Sequence, residues 1–193
     1  MSQQALEKLF DSPAKLRLLK LFLRNPDDKL TLKELKRRTL LTAPAINKQL
    51  KDFKDIKFIS ASKRKGEKLY YLNHKFVLLN ELQELILKSS PADQEKMLEK
   101  IKGLGRIKLV VLSGMFIKPQ REDLRTDLFM VGDSINEKKL NVFIKNVEAE
   151  AGAELYYTVL TSEEFSYRYK MFDRFVLDIL EKPHKKLVNK LIR

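Results

Sequence analysis

Side chains suited to binding nucleic acid are concentrated between positions 42 and 68 of this 193-residue chain. Asn47 offers an amide that can pair with adenine through two hydrogen bonds, and Lys48 can donate to the acceptors of guanine. Residues 63–68 form a second group, in which four cations flank Gly66. Such a density of positive charge suits contact with phosphates, so the two groups together predict a nucleic-acid surface.

Two helices are predicted to position the first group. Thr31 and Glu34 form a capping box, in which each side chain satisfies the other residue's free backbone N–H. This predicts a helix that closes near Thr39. The turn Leu40–Thr42 then leads into a second helix, from Ala43 to about Phe53.

The second helix is predicted to have one buried face and one solvent face. Pro44 is tolerated in its first turn. Apolar residues recur at spacings of four and three, which predicts a buried stripe of Ile46, Leu50 and Phe53. The side chains expected to face solvent are Asn47, Lys48, Gln49, Lys51 and Lys54.

The basic run 63–68 is predicted to be the tip of a β-hairpin, with Phe58-Ile59 and Leu69–Leu72 in its strands and Gly66 in its turn. Helix, turn, helix and hairpin, or wing, is the layout of a DNA-binding domain whose second helix enters the major groove. Lys51 and Lys54 are interpreted as phosphate contacts without sequence readout. The residues expected to contact DNA are Thr42, Ala43, Asn47, Lys48, Lys51, Lys63, Arg64, Lys65 and Lys68.

The charge distribution favours this interpretation over a hairpin that is merely solvated. Residues 1–75 hold 19 Lys/Arg and 8 Asp/Glu, a net charge of +11, whereas residues 76–193 hold 20 and 18, a net charge of +2. A generally lysine-rich surface that serves solubility would not produce this asymmetry. An RNA-binding module is compatible with the charge but not favoured by the helix-turn-helix spacing.

Composition excludes several other classes of protein. The chain has no cysteine, so disulfides and thiolate metal sites are ruled out, and its two histidines, His74 and His184, are isolated in sequence. No apolar run approaches the eighteen or so residues of a membrane span. The first residues lack the pattern of a signal peptide, so we expect a cytoplasmic protein without a resident cofactor.

Three segments are predicted: a winged helix-turn-helix over 1–75, connecting helices over 76–103, and an α/β domain over 104–193. Together they give an α+β fold class.

Three further helices are predicted outside the helix-turn-helix. Ser12-Pro13 predicts the start of a helix that runs to about Arg24. Helix 76–88 carries a wide apolar stripe, interpreted equally as core or as a dimer contact. Ser89-Ser90-Pro91 is predicted to cap a helix over 91–102.

The second half is predicted to be a small mixed domain. Strands are expected over Ile107–Leu112, Asp127–Val131 and Glu154–Leu160, with a helix over 135–150 between the last two. A capping box at Thr161–Glu164 begins what is predicted to be one long helix. The aromatic residues along that helix are interpreted as core: Phe165, Tyr169, Phe172 and Phe175.

This order resembles the minimal nucleotidyltransferase domain of the polymerase-beta superfamily. There, a Gly-Ser pair after the first strand cradles phosphate, and Asp-x-Asp on the next strand binds Mg²⁺. Here Ser113-Gly114 stands for the Gly-Ser pair and Asp127 for the second carboxylate, while Arg125 replaces the first. The resemblance therefore implies a degenerate site with no catalytic residue, a weak nucleotide-binding pair in Ser113 and Gly114, and a weak metal ligand in Asp127.

Residues 12–72 are similar to ArsR-type repressors, and residues 163–180 resemble the closing helix of regulators that fuse such a winged helix to this minimal domain. The resemblance implies a homodimeric transcriptional regulator that binds double-stranded DNA, with a silent second domain that binds a nucleotide, a partner protein or nothing. ArsR-type metal sensing does not carry over, because cysteines are absent. The alternative is an active Mg²⁺-dependent nucleotidyltransferase that uses Asp127 with Asp133 or Glu154.

Overall fold

The computed structural model describes residues 2–118 and 126–192, with side chains from Ala5 onward. Arg125 and the upstream acids Glu122 and Asp123 lie outside the described residues. The chain divides into two compact units. Unit 1 comprises Met1–Ala92 and Lys145–Glu154, and unit 2 comprises Asp93–Ile144 and Leu155–Arg193.

Unit 1 has the predicted order of helices and hairpin. Its elements are α1 (Ser2–Leu9), α2 (Pro13–Arg24), β1 (Leu30–Thr31), α3 (Leu32–Thr39), α4 (Ala43–Asp55), β2 (Ile59–Arg64), β3 (Glu67–Leu72) and α5 (Leu79–Lys88). The capping box at the start of α3 is confirmed, with Glu34 N donating to Thr31 Oγ1 (3.2 Å) and Thr31 N to Glu34 Oε2 (2.7 Å). The Ser12 cap of α2 is also confirmed, because Ser12 Oγ accepts from Lys15 N at 3.1 Å.

A three-stranded antiparallel sheet in the order β1-β3-β2 completes unit 1. The short strand β1 was not predicted, since two residues show no period. It pairs with the base of the wing through Leu30↔Tyr70 and Thr31↔Leu69. This pairing joins the wing to the residue that begins α3, so the sheet and the helix-turn-helix are positioned together.

The core of unit 1 is centred on Phe58, which is fully buried at the junction of α4 and β2. Its ring makes edge-to-face contacts with Phe53 (centroids 5.1 Å apart), Phe22 (6.4 Å) and Phe76 (5.4 Å). Aromatic pairs of this geometry stabilise a core beyond the area they bury. Phe58 therefore holds the base of the wing against the second helix of the helix-turn-helix.

The segment after the wing departs in part from prediction. The helix predicted over 76–88 begins at Leu79, and Ile86 is its one fully buried residue. Phe76, Leu79 and Leu82 pack partly against the core, whereas Val77, Leu78 and Leu85 are exposed.

Unit 2 is a mixed α/β unit. Its elements are α6 (Gln94–Lys102), β4 (Arg106–Leu112), β5 (Leu128–Asp133), α7 (Glu137–Ala151), β6 (Tyr157–Leu160), α8 (Ser162–Lys170), α9 (Arg174–Glu181) and β7 (Lys185–Asn189), and the end of α7 groups with unit 1. The sheet order is β6-β5-β4-β7, with β5 and β6 parallel and the other pairs antiparallel. The α+β class is thus confirmed for the described residues.

Several boundaries of unit 2 were predicted wrongly. Asp93, and not Ser89-Ser90-Pro91, caps α6, because its carboxylate accepts from the amides of Glu95 and Lys96. The third strand begins at Tyr157 instead of Glu154. The strand β7 was missed, because its run of Lys185-Lys186 hides the weak alternation of a half-exposed edge strand.

The single long helix predicted after Thr161 is two helices. Phe172 has φ +55 and ends α8, and Asp173 caps α9 by accepting from Val176 N at 3.1 Å. The aromatic stripe is therefore only partly core: Phe165 packs with Phe129, whereas Tyr169 and Phe172 are exposed.

Candidate nucleic-acid interface

The helices α3 and α4 and the short turn between them lie where the sequence predicts them. The turn between α3 and α4 opens at Leu40, whose backbone is left-handed (φ +56) and whose N–H donates to Lys36 O. Thr39 Oγ1 donates to Leu35 O at 2.6 Å, which fixes the last turn of α3. The chain then enters α4 at Thr42, whose side chain forms no capping hydrogen bond.

The two faces of α4 are those predicted, with one correction. Ile46, Leu50 and Phe53 are buried, and Asn47, Lys48, Lys51 and Lys54 are exposed.

Gln49 was predicted to face solvent but is buried. The cause is that α4 packs against both α2 and α3, which widens its buried arc beyond a single stripe. Its Oε1 has no hydrogen-bond partner among the described residues.

The wing turns through Lys65 and Gly66, both with positive φ (+48 and +84). Two consecutive residues of positive φ are typical of a type I′ turn, which matches the twist of a hairpin. The register pairs Lys63 with Lys68 and Arg64 with Glu67. The four cations around the turn are all exposed, as predicted.

Two sets of cations in unit 1 differ in their surroundings. Those facing inward have partners: Arg17 Nη1 donates to Thr39 O (3.2 Å), Arg38 Nη2 to Asn25 Oδ1 (2.8 Å), and Lys20 Nζ to Pro91 O (2.8 Å). Those on α4 and the wing have none. Over residues 2–118 and 126–192, no hydrogen bond or ion pair occupies the side chains of Lys48, Lys51, Lys63, Arg64, Lys65 and Lys68.

Lys20 is the most perturbed of the inward cations. Burial lowers its pKa to about 7, and the nearby Arg24 adds to the effect, while Glu150 and Glu7 oppose it. The cations of α4 and the wing, by contrast, are exposed to solvent. This makes them, and not the buried lysine, the positive surface of unit 1.

Two further exposed cations lie on α3. Lys33 and Lys36 are exposed on α3, the helix that crosses the DNA backbone in helix-turn-helix proteins. The sequence-based prediction did not name these two lysines among the residues expected to contact DNA.

In unit 2, the structure brings together Ser113, Gly114 and Asp127, but in a network of backbone hydrogen bonds. Asp127 Oδ1 accepts from Met115 N (2.8 Å) and its Oδ2 from Tyr156 N (3.0 Å). Ser113 Oγ donates to Thr126 O at 2.7 Å. The carboxylate is buried and joins the turn after β4 to the residue before β6.

Gly114 is required by this network. A Cβ at this position would lie 2.1 Å from Asp127 Oδ1, and its φ of +48 favours glycine. Close packing against Asp127 is therefore sufficient to explain the glycine at position 114, and phosphate binding is not needed to explain it.

The other acids named for a metal site are distributed differently. Asp133 lies at the far end of β5 from Asp127, a span of roughly 20 Å at about 3.3 Å per residue, so the two cannot share an ion. Asp133 accepts from Ser162 N (3.0 Å) and from Lys108 Nζ (3.1 Å), and these donors, led by the Ser162 amide, lower its pKa to about 2. Glu154 is exposed.

The histidines contact backbone or a single acid. His184 Nδ1 lies 2.8 Å from Lys182 O, and His74 Nε2 lies 3.9 Å from Asp27. Within the part of the chain that the structure describes, no three His, Asp or Glu side chains are grouped so as to hold a metal ion.

Comparisons of the chain with models of known protein families, with curated proteins and with solved structures find no match. In residues 2–118 and 126–192, no helix combines the length and apolar character that a membrane crossing requires.

Proposed function

We propose that the chain is a cytoplasmic, sequence-specific transcriptional regulator that binds double-stranded DNA through unit 1. The observation that carries this proposal is the separation of cations in unit 1. Inward-facing cations are paired, whereas those on α4 and the wing are exposed and unpaired. A charged surface without internal partners is suited to neutralising phosphates.

In this proposal, α4 lies in the major groove. Thr42, Ala43 and Asn47 occupy its N-terminal half, the part that contacts base edges in helix-turn-helix proteins. Asn47 pairs with adenine and Lys48 donates to guanine. Lys51 contacts phosphate.

The wing lies along the adjacent backbone or minor groove. Its type I′ turn at Lys65-Gly66 places Lys63, Arg64, Lys65 and Lys68 together at the tip of the hairpin. The contact with β1 and the packing of Phe58 restrain the wing relative to α4. A restrained wing loses little conformational entropy on binding, which favours affinity.

We further propose a homodimer and a catalytically silent unit 2. Val77, Leu78 and Leu85 are exposed beside the wing, which supports a self-contact through the α5 region. The bonding of both Asp127 oxygens to backbone amides supports a structural role for this carboxylate in place of metal binding. The resemblance to ArsR-type repressors fused to a nucleotidyltransferase-like domain is consistent with a homodimer and with a catalytically silent unit 2.

The test is selection of bound sites from random duplex DNA with the full chain. We expect an enriched, palindromic site, because two copies related by a two-fold axis present two copies of α4. Absence of any enriched sequence would contradict sequence-specific binding. Incubation with labelled ATP and Mg²⁺ tests the silent domain, and transfer that is lost in Asp127→Asn would favour the enzyme.

A further inference from the structure

The turn between α8 and α9 in unit 2 exposes aromatic side chains that its core does not use. Phe172 is 77% exposed and Tyr169 is 43% exposed, although both belong to the apolar pattern of this region. Large aromatic side chains gain stability from burial, so their exposure at one turn calls for an explanation outside the folded monomer.

The backbone at Phe172 makes the observation more specific. Its φ of +55 is left-handed, a conformation that glycine adopts freely and a bulky residue does not. Phe172 N donates to Tyr169 O (3.2 Å) and Asp173 N to Arg168 O (2.9 Å), so the turn has a defined geometry. These two bonds form a left-handed C-cap of α8, which fixes the position of the Phe172 ring without burying it.

Tyr169 is positioned as a flat platform. Its ring stacks on Phe165, with centroids 5.8 Å apart and planes 16° apart, and Phe165 in turn packs against Phe129 in the core. The stack fixes the orientation of Tyr169 while much of its surface stays exposed. A planar ring is the group best suited to extend such a stack.

The charges beside the turn are positive. Lys170 and Arg174 are exposed, and neither forms a hydrogen bond or ion pair with any described residue. Two of the acids on these helices have partners, since Glu164 pairs with Arg168 (2.7 Å) and Asp173 caps α9, whereas Glu163 is exposed in the first turn of α8. Planar stacking surfaces between free cations match the bases and phosphates of a nucleic-acid strand.

We propose that the α8–α9 turn binds single-stranded nucleic acid, with bases stacked on Tyr169 and Phe172 and phosphates in contact with Lys170 and Arg174. A single strand is required because base faces in a duplex are covered by neighbouring bases. This site lies on unit 2 and goes beyond the duplex binding proposed for unit 1.

The test measures binding of a fluorescein-labelled oligothymidylate to the full chain by fluorescence anisotropy. Phe172→Gly removes the ring and suits the left-handed backbone, so we expect binding about tenfold weaker with an unchanged or higher urea midpoint. Tyr169→Leu keeps an apolar contact with Phe165 and should also weaken binding. Tyr157→Ala, which removes an exposed tyrosine elsewhere in unit 2, is the matched control and should bind normally.

Two further variants separate this inference from the proposed duplex binding. Lys170→Gln/Arg174→Gln should lower the salt dependence of oligothymidylate binding and leave duplex selection unchanged. The wing variant Lys63→Ala/Arg64→Ala/Lys65→Ala should do the reverse. Oligothymidylate binding that survives both Phe172→Gly and Tyr169→Leu, or that disappears in the wing variant, would overturn the inference. Binding of anionic phosphatidylserine vesicles in place of the oligonucleotide, lost in Phe172→Gly, would overturn it in favour of a membrane surface.

Discussion

Unit 1 leaves the cations of α4 and the wing in solvent without partners, whereas unit 2 places the acids of β5 and its flanks in dense hydrogen bonds. Lys63 and Arg64 carry charge that a ligand can neutralise. Asp127 and Asp133 carry charge that backbone amides and Lys108 already stabilise. The ionisable residues of α4 and the wing thus point to binding, and those of β5 and its flanks point to architecture. Exposure and partners, and not residue type, distinguish the two roles.

The largest effect is expected from Asp127→Ala. The substitution removes the acceptor of the buried Met115 amide and of the partly buried Tyr156 amide, which should lower the free energy of unfolding by about 3 kcal/mol. Urea denaturation of the full chain measures this. Glu154→Ala removes an exposed acid that the alternative enzyme would also use, and it serves as a reference. A metal-ligand role would instead show as a rise in melting temperature of the wild type with Mg²⁺.

The wing variant Lys63→Ala/Arg64→Ala/Lys65→Ala should weaken duplex binding roughly 100-fold at moderate salt, because three phosphate contacts are lost. The slope of log affinity against log salt should fall by about 3. The control is Lys100→Ala/Lys102→Ala/Lys138→Ala, which removes the same charge from exposed positions outside α4 and the wing. Equal losses of duplex affinity in both variants would show that binding depends on net charge and not on the position of the cations in α4 and the wing.

Asn47→Ala tests the distinction, within unit 1, between a residue that contacts bases and residues that contact phosphates. We expect the ratio of affinities for the selected site and a scrambled duplex to fall by about tenfold, because a bidentate contact to adenine is lost. The salt slope should stay close to that of the wild type. Competition binding with the two duplexes measures both quantities, and an unchanged ratio would remove Asn47 from base readout.

The inward Lys20 should make stability depend on pH. Its pKa falls from 10.5 to about 7 on folding, so below pH 7 it is charged in both states and its burial penalty is complete. As the pH rises from 7 to 9, the folded state releases the proton first and stability should increase by about 2 kcal/mol. Lys20→Met should lack this rise, and Lys8→Met, at an exposed position, should keep it. Urea midpoints across this range measure the effect.

The smallest effect is expected at Asp133, whose carboxylate is partly exposed. Its folded pKa of about 2 lies below the usual 3.8, so its contribution to stability is present above pH 4 and is lost as the pH falls toward 2. Asp133→Asn should flatten this acid limb of the stability curve. Asp11→Asn, at an exposed site, should leave it steep, and an equally steep limb in Asp133→Asn would assign the acid sensitivity to other carboxylates.

Local signals in the sequence predicted unit 1 well, because its elements are set by short-range rules. The Thr31–Glu34 capping box, the apolar stripe of α4 and the Gly66 turn each depend on residues a few positions apart. Gln49 escaped prediction because its burial depends on a second packing partner, α2 or α3, that the period of α4 does not contain.

Unit 2 was harder to predict, because its decisive features are long-range or break a local rule. The role of Asp127 depends on Tyr156, 29 residues away, and β7 exists through pairing with β4. The break at Phe172 contradicts the helical pattern around it, since a phenylalanine occupies a left-handed position that normally predicts glycine. Ser113 and Gly114 were predicted as a nucleotide-binding pair and Asp127 as a metal ligand, whereas the hydrogen bonds that join this region were not predicted.

The composition of unit 1 from two stretches of chain has a consequence for its biosynthesis. Gly152 lies so close to α2 that a Cβ there would come within 2.6 Å of the backbone at Lys20 and Leu21, and its carbonyl accepts from Asn25 Nδ2 at 2.7 Å. Because Lys145–Glu154 group with Met1–Ala92 in unit 1, the contacts of Gly152 with α2 can form on the ribosome only after this segment has emerged. The segment Asp93–Ile144 is therefore translated before these contacts can form, and a fragment that stops at Ala92 lacks them.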